Sequence, residues 1–93
     1  MIHTTKTLGT LSVTQLAEVL FATPLQESDN PAPAQLRAAV QRTWLAAGAD
    51  AAPFAARLAQ EAGDHPEETA RRMRWALKTA ARSLPASPLP LAN

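Results

Sequence analysis

Pro66-Glu67-Glu68-Thr69-Ala70-Arg71-Arg72-Met73-Arg74-Trp75-Ala76-Leu77-Lys78-Thr79-Ala80-Ala81-Arg82-Ser83-Leu84-Pro85 is the stretch on which the fold turns. It carries the punctuation of one long helix. Proline opens it, where a missing N–H is no loss, and two glutamates occupy the first turn, where the helix dipole favours anions. Arg82 stands in the last turn ahead of Leu84-Pro85. Met73, Ala76, Leu77, Ala80 and Leu84 recur at helical spacing and form the expected apolar face. At about 100° per residue, Arg71, Arg74, Lys78 and Arg82 fall together on the opposite face, with Trp75 at its margin. Glu67–Arg71 and Glu68–Arg72 have the acid-first i,i+4 arrangement of a solvated face, worth about 0.2 to 0.5 kcal/mol each.

Three more helices are expected upstream. Ser12-Val13-Thr14-Gln15 has the capping-box form, so a helix begins there. Val13, Leu16, Ala17 and Leu20, widened by Val19 and Phe21, make an apolar stripe that ends at Thr23-Pro24. Ser28-Asp29-Asn30-Pro31 reads as a turn. Pro33 then opens a second helix, over roughly residues 33–47, with Leu36, Ala39, Val40, Thr43 and Ala47 on one face, Trp44 flanking it and Gly48 as its stop. Asp50 is placed to cap a third, with Pro53 in the first turn, Phe54, Leu58 and Ala62 on one face and Gly63 as its stop. The threonine-rich residues 1–11 read as an extended arm, and Pro85-Ala86-Ser87-Pro88-Leu89-Pro90-Leu91 within the tail 85–93 as extended chain of polyproline type. The expected architecture is an all-α, four-helix domain over residues 12–84 with an N-terminal arm and a Pro-rich tail.

Composition narrows the functions. Ninety-three residues suffice for one core and no more. The absence of cysteine removes disulfides, thiolate nucleophiles and Cys-based metal sites, and suits a reducing compartment. No apolar run nears the roughly 18 residues of a membrane span, and the threonine-rich start lacks the form of a signal peptide, so a cytoplasmic protein with no membrane partner is expected. Alanine at 21 positions and Arg over Lys by seven to two are products of GC-rich codons, which points to a bacterial gene. The alanines also promise a thin core, and the first helix is apolar around more of its circumference than one groove needs. Together these predict a homodimer or larger assembly.

No cofactor, metal or small-molecule substrate is implied. His65 near Glu61, Asp64 and Glu68 is a single imidazole, and the bland role of Asp64 or His65 as the cap before Pro66 accounts for it. Ser12 and Ser83 sit in capping contexts without an acid–base partner, so no enzyme is expected. The net charge is +1, yet residues 1–33 carry −2 and residues 64–93 carry +2, so the basic residues are concentrated on the last helix. The expected binding residues are therefore Arg71, Arg74, Trp75, Lys78 and Arg82. The leading reading is a non-enzymatic helical interaction or regulatory module that binds a protein partner or itself.

The alternative is DNA. Leu58-Ala59-Gln60-Glu61-Ala62-Gly63 resembles the first helix and turn glycine of the helix-turn-helix in lactose-repressor-like regulators, and Thr69-Ala70-Arg71-Arg72-Met73 resembles the start of a recognition helix. The resemblance spans about 20 residues and implies that the Arg-rich last helix enters a groove. It departs from the pattern in two places. Asp64 stands where the turn buries an aliphatic side chain, and Asp64-His65-Pro66-Glu67-Glu68 is longer than the pattern by one residue. Glu67 and Glu68 would also face the phosphates.

Overall fold

In the computed structural model, which describes residues 11–84, four α-helices follow one another: α1 (Val13–Phe21), α2 (Pro33–Ala46), α3 (Ala52–Asp64) and α4 (Pro66–Ser83). A 3₁₀ turn, Glu27–Asp29, lies between α1 and α2, and no strand occurs among the described residues. The all-α reading holds. The extended character expected of the arm and the tail lies outside the described residues, except at Leu11. That residue is buried in the core and belongs to the domain, not to the arm.

Local chemistry sets the helix starts. The Ser12 side chain accepts from the Gln15 N–H at 3.1 Å, and the Ser12 N–H donates to Gln15 Oε1 at 3.0 Å. Leu11, just before the cap, and Leu16, at the fourth helical position, are both buried and stand in the register of a hydrophobic staple. At α2 the Ala32 N–H donates to Gln35 Oε1 at 2.8 Å, with Pro33 first in the helix. Asp50 Oδ1 accepts from the Ala52 N–H at 3.1 Å, so it serves α3 from one residue before the cap position, which Ala51 holds.

The two glycines expected as stops part company. Gly48 has φ +79° and ends α2, and Ala49 beside it is also left-handed at φ +57°. Gly63 instead lies inside α3, which runs on through Asp64, so His65 alone separates α3 from α4. The His65 N–H closes α3 on the Glu61 carbonyl at 2.7 Å, and Pro66, with no N–H to bury, starts α4 at once.

α1 is the hub. It packs most extensively on α4 and also against α2 and α3. Leu16, Ala17, Val19, Leu20 and Phe21 are all buried by these neighbours. Much of the apolar circumference that suggested self-association is thus buried within the chain, while Val13 stays 37% exposed. Trp44 lies at the centre of the core at 1% exposure, not on its flank, and stacks on Phe54 with ring centroids 6.0 Å apart.

α4 presents a different face from the expected one. Thr69, Trp75, Ala76, Ala80 and the C-capping Leu84 are buried, Met73 is half-buried against the core, and Leu77 is 37% exposed. Ala17 on α1 and Ala76 and Ala80 on α4 are wholly excluded from solvent. With nothing beyond Cβ they leave room for close packing, and α1 with α4 is the most extensive helix pair.

Two tests follow from this arrangement. A Cβ at Gly48 would meet nothing within 4 Å. Gly48→Ala should therefore lose about 1 kcal/mol through its left-handed backbone alone, whereas Gly63→Ala, in a helix with equally open space, should gain roughly 0.5 to 1 kcal/mol. Urea melts of the two variants would move in opposite directions. In the second test, Ala80→Leu overpacks the close approach and costs about 1 to 3 kcal/mol. Leu77→Ala, at a half-open site, costs less than about 1 kcal/mol; the reverse order in thermal melts would contradict the observed rotation of α4.

Candidate interaction face

Burying the C-terminal half of α1 creates a polar problem at its end, where the last carbonyls of a helix have no partner within it. Those of Val19, Leu20 and Phe21 are each met from a specific source. The Val19 carbonyl accepts from the Ala22 N–H at 3.0 Å. The Leu20 carbonyl accepts from the Thr23 N–H at 3.0 Å and from the Thr23 hydroxyl at 2.7 Å. Phe21 accepts from Arg72 of α4, through Nε at 3.1 Å and Nη2 at 3.0 Å, and the Thr23 carbonyl accepts from Nη2 at 2.9 Å. Nη2 has two hydrogens, so its 3.5 Å approach to the Leu20 carbonyl is at most a weak shared contact.

The Arg72 guanidinium also lies 5.5 Å from the Phe21 ring centroid and 5.1 Å from that of Trp75, within reach of both π faces. Desolvation, and secondarily the charge of Arg57, pull its pKa downward. Guanidinium starts so high that it stays charged regardless. The surface pair expected between Glu68 and Arg72 is thus replaced: the hydrogen bonds of Arg72 go to the backbone carbonyls of Phe21, at the end of α1, and of Thr23 just beyond it.

The remaining basic residues turn outward. Arg71, Arg74, Lys78 and Arg82 are all exposed, as their helical spacing requires once Thr69, Ala76 and Ala80 face α1. None makes a hydrogen bond or ion pair among the described residues. Trp75, at the margin of the basic face, is only 9% exposed. The segment linking α1 to α2 lies against it and leaves a groove on each side. One, of about 360 Å³, brings Trp75, Lys78 and Arg82 together with Glu27, Pro31 and Leu36. The other, of about 230 Å³, is formed by Arg71, Arg72 and Trp75 with Gln26, Glu27 and Glu68. Arg74 lines neither of these two.

The structure therefore gathers Arg71, Trp75, Lys78 and Arg82 around two grooves and adds Glu27 and Leu36, which the sequence reading did not single out. Glu27 has only its neighbourhood to the turn Ser28-Asp29-Asn30-Pro31 as a signal. Leu36 was expected as core, and it is buried there with one edge lining the groove. His65 caps both adjoining helices through its backbone, its side chain forms no capping bond, and no cluster of three metal-capable side chains exists among the described residues. Among these residues no helix is long and apolar enough to cross a membrane.

No protein-family model, curated protein or solved structure matches the chain. The geometry alone carries the functional reading.

Arg72 should be the most costly polar residue to remove. Arg72→Ala strands buried carbonyls and is expected to lose about 3 kcal/mol, whereas Arg72→Lys, a point charge without the planar fork, recovers only part of that. Arg71→Ala, one residue away and exposed, should change stability by no more than about 0.5 kcal/mol. Denaturant midpoints for the three variants, compared at equal ionic strength, check the ranking.

Proposed function

We infer that the chain is a small helical protein–protein interaction module, and that the exposed face of α4 is the surface that holds its partner. One observation carries this reading: Arg71, Arg74, Lys78 and Arg82 project from a single helix face without a partner among the described residues, while the opposite face of the same helix is committed to α1. Unneutralised cations on a rigid, internally braced helix form a surface complementary to an anionic one, and such complementarity sets specificity and association rate.

Three features favour protein over DNA. A helix-turn-helix joins its helices by a turn of about three or four residues, whereas here His65 stands alone between α3 and α4 and Gly63 is helical. Trp75 is covered, so it offers no open face for stacking on a base. Glu67 and Glu68 occupy the first turn of α4, at the end a recognition helix directs into the groove. Self-association through this same face is disfavoured too. A two-fold axis near the middle of α4 would set Arg71 against Lys78 of the second copy, so any homodimer would use another surface.

Immobilised protein should retain a partner from native lysate after nuclease treatment. Arg74→Glu combined with Lys78→Glu should abolish that capture while leaving helix content unchanged, since both side chains are exposed. Capture that disappears with nuclease would favour the DNA alternative. Capture indifferent to the charge reversal would remove α4 from the binding role.

A further inference from the structure

The groove between α4 and the α1–α2 connection has a chemistry narrower than a basic patch. Its α4 wall carries the Lys78 and Arg82 cations and the hydroxyls of Thr79 and Ser83. Its far wall is the partly exposed Pro31, set over the buried Leu36, followed by Asn30 and the carboxylate of Glu27. One side thus holds an anion, the next holds an aliphatic group, and the rim offers an acceptor that requires a donor.

Resting on the assignment of the α4 face as an interaction surface, we propose that this groove binds an acidic peptide segment in which a carboxylate residue neighbours an aliphatic one. The carboxylate meets Lys78 and Arg82, the aliphatic side chain covers Pro31, and Glu27 accepts from a backbone N–H of the peptide. Glu27 decides the class of partner. It lines both grooves beside Trp75, so a strand following Arg71, Lys78 and Arg82 meets that carboxylate in either one. A peptide backbone carries an N–H donor at nearly every residue, which Glu27 can accept from, whereas a phosphodiester backbone presents acceptors and has no donor to offer it. A volume of about 360 Å³ suits a pair of side chains and falls at the small end of ligand pockets.

The proposal is tested by fluorescence anisotropy at one ionic strength with two probes of equal charge: a labelled synthetic peptide of mixed Glu and Leu, and a labelled poly-deoxythymidine. The peptide is expected to bind the native chain at least roughly tenfold more tightly than the oligonucleotide, a difference of about 1.4 kcal/mol. Lys78→Glu with Arg82→Glu should weaken the peptide by a similar factor, with helix content checked by circular dichroism. Glu27→Lys should strengthen the oligonucleotide more than the peptide, because both gain the added charge and only the peptide loses an acceptor, so the gap between the two probes narrows.

Equal or tighter binding of the oligonucleotide by the native chain would overturn the peptide assignment and leave the α4 face as a binding surface of another kind. Peptide affinity that is unaffected by Lys78→Glu with Arg82→Glu but lost with Arg71→Glu and Arg74→Glu would place the ligand outside this groove and overturn its role. Failure of the peptide to bind at all also overturns it. The lysate capture experiment judges the wider reading independently.

Discussion

A nine-residue helix does not hold together in water by itself, and α1 persists because three other helices pack against it. Burial of its last turn would leave the carbonyls there facing apolar surroundings, at a cost of about 1 to 3 kcal/mol for each polar group left unpaired. Arg72 prevents this by reaching from α4 to the carbonyls of Phe21 and Thr23, with the Thr23 hydroxyl taking that of Leu20. A cation at a helix C-terminus is also favoured by the helix dipole. The rings of Phe21 and Trp75 complete its surroundings, so a full charge sits against the core with polar and π partners around it.

That contact fixes both the rotation and the register of α4. With Arg72 turned to the end of α1, and with Ala76 and Ala80 against the hub, Trp75 falls beneath the α1–α2 connection while Arg71, Arg74, Lys78 and Arg82 can only point outward. The basic face and the core are therefore two consequences of one orientation. The grooves beside Trp75 divide their chemistry between a basic helix and an acidic turn. A surface of this kind gains specificity from where Glu27 stands as much as from the number of its cations.

Much of the site was legible because helical spacing alone places side chains i, i+3, i+4 and i+7 on one face, and the four exposed basic residues of α4 obey it. Arg72 was not, because its neighbour Arg71 has the same chemistry and the opposite fate. A pattern weighted by Met73 and Leu77 centres the apolar face too far round the helix, whereas the small residues Thr69, Ala76 and Ala80 mark the true contact. In an alanine-rich chain, close packing is signalled by what lacks a side chain. Trp44 illustrates the same bias: placed on a flank by its spacing, it becomes the centre of the core because Phe54, from another helix, stacks on it.

Sequence by itself determined the helices of this protein, their starts and most of their ends, since caps, prolines and the left-handed Gly48 act within a few residues of where they stand. Gly63 shows the limit of that locality, as a glycine stops a helix only where the backbone must turn left-handed, and Pro66 already begins the next one. What only the tertiary structure decided is which of two adjacent arginines is structural, which tryptophan face is covered, and that Glu27 lies across a groove from Lys78 and Arg82. These depend on contacts between residues about fifty positions apart, such as Arg72 with Phe21, and no local periodicity records a partner at that distance.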